Sequence, residues 1–244
     1  MKILIIIPAY NEQESIVQVV RDLTSQTFPP QHVVDYIIIN DCSSDRTKEI
    51  CERNHLNILH LPINLGIGGG VQTGYRYALE HDYDIAVQMD GDGQHDPAYL
   101  STIIEPIEND ELDMVIGSRF IRKEGFQSSG LRRFGIKILK VLIRLCSGVT
   151  IYDATSGFRA VSRPLIQLFA ADYAQDYPEP EAILTAALQG FRIGEKPVVM
   201  RERQGGQSSI RAFSSAYYML KVSLSLLICR LRGRRNIHLE GEKE

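Results

Sequence analysis

Little in this 244-residue chain points to staples, spans or tracts. Its four cysteines, Cys42, Cys51, Cys146 and Cys229, form no Cys-x-x-Cys and no zinc-ligand spacing. They read as reduced thiols of a cytosolic protein, which sets aside a disulfide scaffold or a structural zinc site. No apolar run approaches the roughly 20 residues that cross a bilayer. The chain opens directly on Met1-Lys2 and a short strand-like run, so no secretory leader is expected. There is no internal repeat and no low-complexity linker, and only roughly the last ten residues read as disordered. A net charge of only -3 argues against nucleic acid as the main partner.

What charge there is lies unevenly. Arg119, Arg122, Lys123, Arg132, Arg133, Lys137, Lys140 and Arg144 crowd one region, opposed there only by Glu124. Arg230, Arg232, Arg234 and Arg235 form a second cluster near the C-terminus. With 44% hydrophobic and 23% charged residues the composition is that of an ordinary globular α/β protein. The length suits one generous domain with an appendage, divided here into residues 1–209 and a C-terminal helix and basic tail, 210–244.

Lys2 to Ile7 is a continuous β-branched run, expected as a strand buried on both faces and ended by Pro8. Apolar residues at helical spacing follow between Glu12 and Ser25. Val33 to Asn40 and Asn57 to Leu61 read as the next strands, with a helix between them from a cap at Ser44 or Asp45 to about Asn54. Glycine-rich Asn64 to Gly70 leads into a helix through roughly Glu80. Ile85 to Met89 is a fourth strand, Asp96-Pro97 opens a helix, and Leu112 to Gly117 is a fifth strand. This alternation predicts a mostly parallel central sheet with helices on both faces.

Ligands in such sheets sit at the carboxyl ends of the strands. Four polar clusters fall there: Pro8 to Glu12, Asp41 to Asp45, Asn64 to Gly70 and Asp90 to Asp96. Their convergence predicts an active site. The last cluster is the most telling, because Asp90 and Asp92 stand one residue apart at the end of a buried strand. Bare charges there need water, a counter-ion or a metal. Asp-x-Asp with the neutral oxygen of Gln94 suits Mg²⁺ or Mn²⁺ when substrate phosphates and water complete the shell. An EF-hand starting at Asp90 would need Gly at His95 and Glu at Ser101, and has neither. An aspartyl phosphohydrolase would want Thr or Val in place of Gln94. The glycines at 66, 68, 69 and 70 do not make a Gly-x-Gly-x-x-Gly dinucleotide fingerprint.

The second half is less regular. Leu131 to Leu145 is amphipathic, with Leu131, Ile138, Leu142 and Leu145 expected on the apolar face and Arg133, Lys137, Lys140 and Arg144 opposite. Asp153 to Arg159 reads as a compact polar turn, Pro180 to Leu188 as a helix, Phe191 to Met200 as a closing strand, and Ile210 to Leu231 as an apolar C-terminal helix.

Taken in order, several segments make the sequence resemble the family 2 glycosyltransferases of GT-A fold, and among them the dolichol- or polyprenol-phosphate sugar synthases. They are Ile7-Pro-Ala-Tyr-Asn-Glu12, Asn40-Asp41 with Ser43 to Thr47, Asn64-Leu-Gly66 and Asp90-Gly-Asp92-Gly-Gln94-His95. Gly117-Ser-Arg119, Asp153 to Arg159, and Arg203 with Gly206 and Ser208 follow. The resemblance implies an inverting hexosyltransferase using a UDP- or GDP-sugar. It implies that Pro8, Tyr10, Glu12 and Asp41 surround base and ribose, while Asp90, Asp92 and Gln94 hold the cation against the donor diphosphate. It also implies that Arg119, Arg132 or Arg133, and Arg203 with Ser208 hold a polyprenyl phosphate acceptor. A lipid phosphate is already largely ionised at neutral pH and needs no general base, since its second pKa is about 6. A sugar hydroxyl, as in cell-surface polysaccharide synthesis, needs one, with Glu181 the first candidate and Asp153 the second. Asp92, Arg119, Glu181 and Arg203 are therefore the catalytic candidates. A sugar nucleotidyltransferase would want a basic glycine-rich loop after the first strand, and a non-catalytic nucleotide-sugar-binding protein need not keep Asp92 and Gln94.

The two amphipathic segments suggest peripheral attachment to the anionic inner face of the cell membrane. Many relatives continue into transmembrane helices and this chain does not, which leaves room for a separate membrane-protein partner or a homo-oligomer.

Overall fold

In the computed structural model, residues 1–122, 130–201 and 214–232 are described, side chains excepted at 130–134, 214–220 and 232. Seven strands form one sheet: β1 (Lys2–Ala9), β2 (Val33–Asn40), β3 (Ile58–His60), β4 (Ile85–Gln88), β5 (Met114–Ser118), β6 (Arg159–Ser162) and β7 (Ile193–Pro197). Their spatial order is β3-β2-β1-β4-β6-β5-β7. All neighbours are parallel except around β6, which runs antiparallel to both β4 and β5. The expected α/β architecture, a mostly parallel sheet with helices on both faces, is the one observed.

β1 lies inside the sheet, between β2 and β4, and sorts its side chains by pleat. Leu4 and Ile6 enter one core, Ile3, Ile5 and Ile7 the other, which is why this run shows no polar alternation. Helices α1 (Ile16–Thr24), α2 (Thr47–Arg53) and α4 (Leu100–Glu108) cover the second core. The first core lies under α3 (Gly66–Glu80), α5 (Gly130–Ser147), α6 (Arg163–Ala171), α7 (Pro178–Leu188) and α8 (Ser214–Arg232).

One expectation needs correction, and two features lie beyond what the sequence foretold. Pro8 does not end β1; the strand runs on to Ala9, with Pro8 opposite Ile39 of β2, and the Pro8 carbonyl accepts from Gly91 N–H at 3.3 Å. β6, which lies between β4 and β5, has no counterpart among the strands expected from sequence. Four residues, Arg159-Ala-Val-Ser162, are too short and too polar at both ends to announce a central strand. The stripe of α5 that turns inward lies beside the apolar face named from sequence and shares Leu142 with it. Ile136, Leu139, Ile143 and Cys146 are buried, whereas Ile138 and Val141 face outward and Leu145 is 76% exposed. The apolar sector of the helix is wider than one stripe, so the core takes part of it and leaves part outside. Leu131's side chain lies outside the described residues.

α8 packs against α5 and α7, adding Val222 and Leu226 to the first core. Leu224, Leu227, Ile228 and Leu231 stay exposed. Among the described residues no helix is long and apolar enough to cross a membrane.

Two contacts fix distant segments. A Cβ on Gly68 in α3 would lie 2.2 Å from the Ala174 carbonyl oxygen, so glycine permits close approach of α3 to the 174–175 loop. Ahead of β7, Arg192 donates to Asp113, ahead of β5, from its backbone N–H at 2.8 Å and from Nε at 3.0 Å. Burial pushes the Asp113 carboxyl up, but these bonds outweigh it and hold the group below the usual carboxylate range. Gly68→Ala is expected to destabilise the fold by about 1–3 kcal/mol in chemical denaturation, despite roughly 1 kcal/mol gained in helix propensity. Because the folded-state value for Asp113 is depressed, its stabilisation is present above the ordinary carboxylate range and lost as pH falls through the lowered value. Asp113→Asn should therefore lower the melting temperature slightly at neutral pH, and the gap to wild type should close in strong acid.

Candidate active site

The carboxyl ends of β1, β2 and β4 meet through a dense set of backbone-to-side-chain bonds. Asn11, in the left-handed region at φ 58°, uses its Oδ1 to accept from Ser44 N–H at 2.8 Å and Asp45 N–H at 3.2 Å. In return Ser43 Oγ accepts from Asn11 N–H, Thr47 Oγ1 from Glu12 N–H and Asp45 Oδ2 from Gln13 N–H. The Ser15 hydroxyl lies 2.8 Å from the Gly91 carbonyl and 3.0 Å from Glu12 Oε2, tying the first turn to the fourth. Asp45 thus holds the entry to α2 through Thr47 N–H, at 2.9 Å, as its place before the helix suggests.

Asp41 is nearly buried. Its Oδ1 accepts from Leu65 N–H at 2.7 Å and its carbonyl from Asn64 Nδ2 at 3.0 Å, fixing the entry to α3 beside the same cleft. Pro8 and Glu12 are buried in this wall and Tyr10 is 50% exposed at its rim. These four residues therefore share the strand ends where base and ribose binding was expected.

The Asp90–Asp96 turn closes the group. Asp92 is 8% exposed, and its Oδ1 accepts from Gln94 N–H at 3.0 Å. The side chain of Asp90 is 33% exposed and accepts from Gln88 Nε2 at 3.2 Å. A Cβ on Gly157 would lie 2.8 Å from Asp90 Oδ2, so glycine lets the 153–157 turn approach that carboxylate. His95, not among the expected site residues although it ends the quoted motif, supports the turn from within. Its Nδ1 accepts from Asp90 N–H at 3.0 Å and its ring stacks on Phe158 at 5.0 Å. Neutral His95 in that bond carries its proton on Nε2, 3.7 Å from Asp90 Oδ2.

Among the described residues no three His, Cys, Asp or Glu side chains converge into a closed metal cage. Two carboxylates and an amide on one turn instead make a hard, open oxygen set. That set fits Mg²⁺ or Mn²⁺ completed by phosphate and water, and does not fit a structural zinc.

Other candidates are placed differently. Arg119 is buried, its Nε and Nη2 each 2.7 Å from Asp153, which is fully buried. Asp153 and Tyr152 donate their N–H groups to Glu195 at 2.8 and 2.7 Å; burial pushes that carboxyl up, against the pull of these bonds. Glu181 accepts from the Ser225 hydroxyl of α8. Arg159, fully buried opposite Gln88, donates to the carbonyls of Glu179 and Ser156, holding the start of α7 near the turn. Arg203 and Ser208 lie outside the described residues, as do the side chains of Arg132 and Arg133.

Residues 4–169 match the model of glycosyl transferase family 2. The chain is 33% identical to a UDP-N-acetylglucosamine–dolichyl-phosphate N-acetylglucosaminyltransferase of Methanococcus voltae, over 80% of this chain and 84% of the relative. It is 29% identical to an undecaprenyl-phosphate mannosyltransferase of Micrococcus luteus, over 96% and 98%. The fold is shared with glucosyl-3-phosphoglycerate synthase of Mycobacterium tuberculosis, solved with Mn²⁺, UDP-glucose and phosphoglyceric acid. That similarity has a TM-score of 0.67 at 18% identity, covering 96% of this chain and 81% of the synthase. A GT-A architecture whose family match runs through all four polar strand ends makes this chain a glycosyltransferase, a member of glycosyl transferase family 2.

Proposed function

We propose that this enzyme moves a hexose, with inversion, from a UDP- or GDP-sugar to polyprenyl phosphate at the inner face of the cell membrane. The observation that carries the reading is the Asp90–Gln94 turn, set against the Asp41 wall at the ends of a buried sheet. Asp90, Asp92 and Gln94 would hold Mg²⁺ or Mn²⁺, which when bound supplies positive charge to the departing diphosphate. Pro8, Tyr10, Glu12 and Asp41 orient the nucleoside. A phosphate oxygen of the acceptor forms the new bond to sugar C1 while the C1–O bond to the diphosphate breaks on the opposite face. A single displacement of this kind inverts the anomeric centre.

The acceptor is read from what the carboxylates are doing. Of the two candidate bases, Asp153 is locked on Arg119 and Glu181 is turned to Ser225. A phosphate acceptor asks neither of them for proton removal. Arg119, matched by Asp153, serves as a strut for the 153–157 turn, and the acceptor phosphate falls to Arg132 or Arg133, Arg203 and Ser208. Relatives named for dolichyl- and undecaprenyl-phosphate transfer support the same choice.

The outer surface of α5 and α8 supports membrane contact. Ile138, Val141 and Leu145 lie exposed with Lys137 and Arg144, and Leu224, Leu227, Ile228 and Leu231 with Lys221 and Arg230. Neither helix contains an Asp or Glu. Exposed apolar groups interspersed with cations suit an anionic lipid surface.

Incubation with labelled UDP- and GDP-sugars and polyprenyl phosphate is expected to carry label into organic solvent, and label recovered only in water-soluble sugar would contradict the acceptor. Asp92→Asn keeps an acceptor for Gln94 N–H but loses the charge; it should fold normally and lose at least about a hundredfold in activity. Full activity in EDTA would count against the same claim. Leu145→Ser combined with Leu227→Ser should weaken binding to phosphatidylglycerol vesicles by about tenfold or more, with donor binding unchanged.

A further inference from the structure

One cation in the donor half of the site has no part in the scheme above. Arg201 follows Met200, which forms an isolated antiparallel bridge with His95. The Arg201 N–H donates to the Gln94 carbonyl at 2.9 Å. Its guanidinium then divides between two elements. Nη1 lies 2.7 Å from Asp22 Oδ2 on α1, and Nη2 lies 3.0 Å from Asp96 Oδ1 at the end of the Asp90–Asp96 turn. Asp22 is itself steadied by Gln18, whose Nε2 donates to Oδ1 at 2.6 Å. Asp96 also accepts from Ala98 N–H at 3.0 Å, capping the 3-10 turn that leads into α4.

We infer that Arg201 is a positioning residue for the reaction, bracing the turn that carries Asp90, Asp92 and Gln94 against α1. The inference rests on the metal–nucleotide reading of that turn. Three observations converge on it. The turn is held on its inner side by His95 on Phe158, Ser15 on Gly91 and Gly91 N–H on the Pro8 carbonyl. Arg201 holds its outer side at two successive points, the backbone of Gln94 and the carboxylate of Asp96. The arginine fork also spans two carboxylates on separate elements, which a lysine's single ammonium does less well. With the Arg201 side chain 40% exposed, its ion pairs add little to global stability. Its effect is therefore expected in the geometry of the oxygen set, where outer-shell partners commonly matter tenfold or more.

Calorimetric titration of the full chain with MnCl₂ plus UDP, and in a second arm MnCl₂ plus GDP, tests this. Wild type should bind one of the two. Arg201→Ala should bind it about tenfold more weakly, with a melting temperature close to wild type, and Arg201→Lys should recover part of the loss. Asp22→Asn should weaken binding in the same direction, and the double variant should be no worse than Arg201→Ala alone, because both changes remove one contact. In the transfer assay the loss should appear in the donor KM more than in kcat. Wild-type affinity in both Arg201→Ala and Asp22→Asn would overturn the brace. Were Arg201→Ala to fail to fold, Asp22→Asn, which leaves the Asp96 and Gln94 contacts in place, decides alone. A wild type that binds neither nucleotide with Mn²⁺ overturns the donor reading beneath it, whereas normal wild-type binding with unchanged variants overturns only the brace.

Discussion

Two carboxylates stand where a strand with no exposed face runs out of sheet, and the rest of the site is arranged to keep them there. β4 buries all four of its residues, so Asp90 and Asp92 emerge straight from an apolar interior. An ionised group so placed is tolerated only when hydrogen bonds and countercharge replace the water it has lost. Gln88, Gln94 N–H and the nearby His95 ring supply part of that replacement. A hard divalent cation and a diphosphate would supply the remainder, which gives the same residues a structural reason to stand there and a chemical one.

The parallel sheet serves this constraint directly. It delivers the ends of β1, β2 and β4 to one edge, and the short bonds among Asn11, Ser43, Ser44, Asp45, Ser15 and Gly91 set the loops in one relation. Small residues matter at the same places for steric reasons: Gly157 admits the Asp90 carboxylate and Gly68 admits the 174–175 loop. The antiparallel β6 brings the 153–157 turn to that edge, with Arg119–Asp153 and Glu195 holding it from behind. The site is thus assembled from both halves of the chain, although its metal-binding candidates belong to one turn.

How much of this could be read beforehand follows from the range of each interaction. Continuous β-branched runs announce buried parallel strands, and Val33–Asn40 was bounded to the residue. The placement of Asp90, Asp92 and Asp41 at strand ends was legible because position after a strand is a local property. β6 was not legible, since four residues carry too little periodicity and its place in the sheet depends on partners about 45 and 75 residues away in sequence. The stripe of α5 that the core takes was not legible, because an apolar surplus on a helix does not say which stripe will be buried. Arg119 and Glu181 carry the expected charges, but only the fold shows that Asp153 and Ser225 already engage them. Arg201 gives no sequence signal at all, as its partners lie on α1 and after β4.

Nucleotide and cation are expected to bind jointly at the Asp90–Gln94 turn. The most direct measurement is anomalous diffraction from crystals soaked with MnCl₂ and UDP or GDP. A manganese peak is expected about 2.1 Å from oxygens of the Asp90–Gln94 turn, with the diphosphate on its open side and the base against Asp41. Nucleotide bound at those strand ends without manganese, or manganese found only elsewhere on the protein, would contradict it.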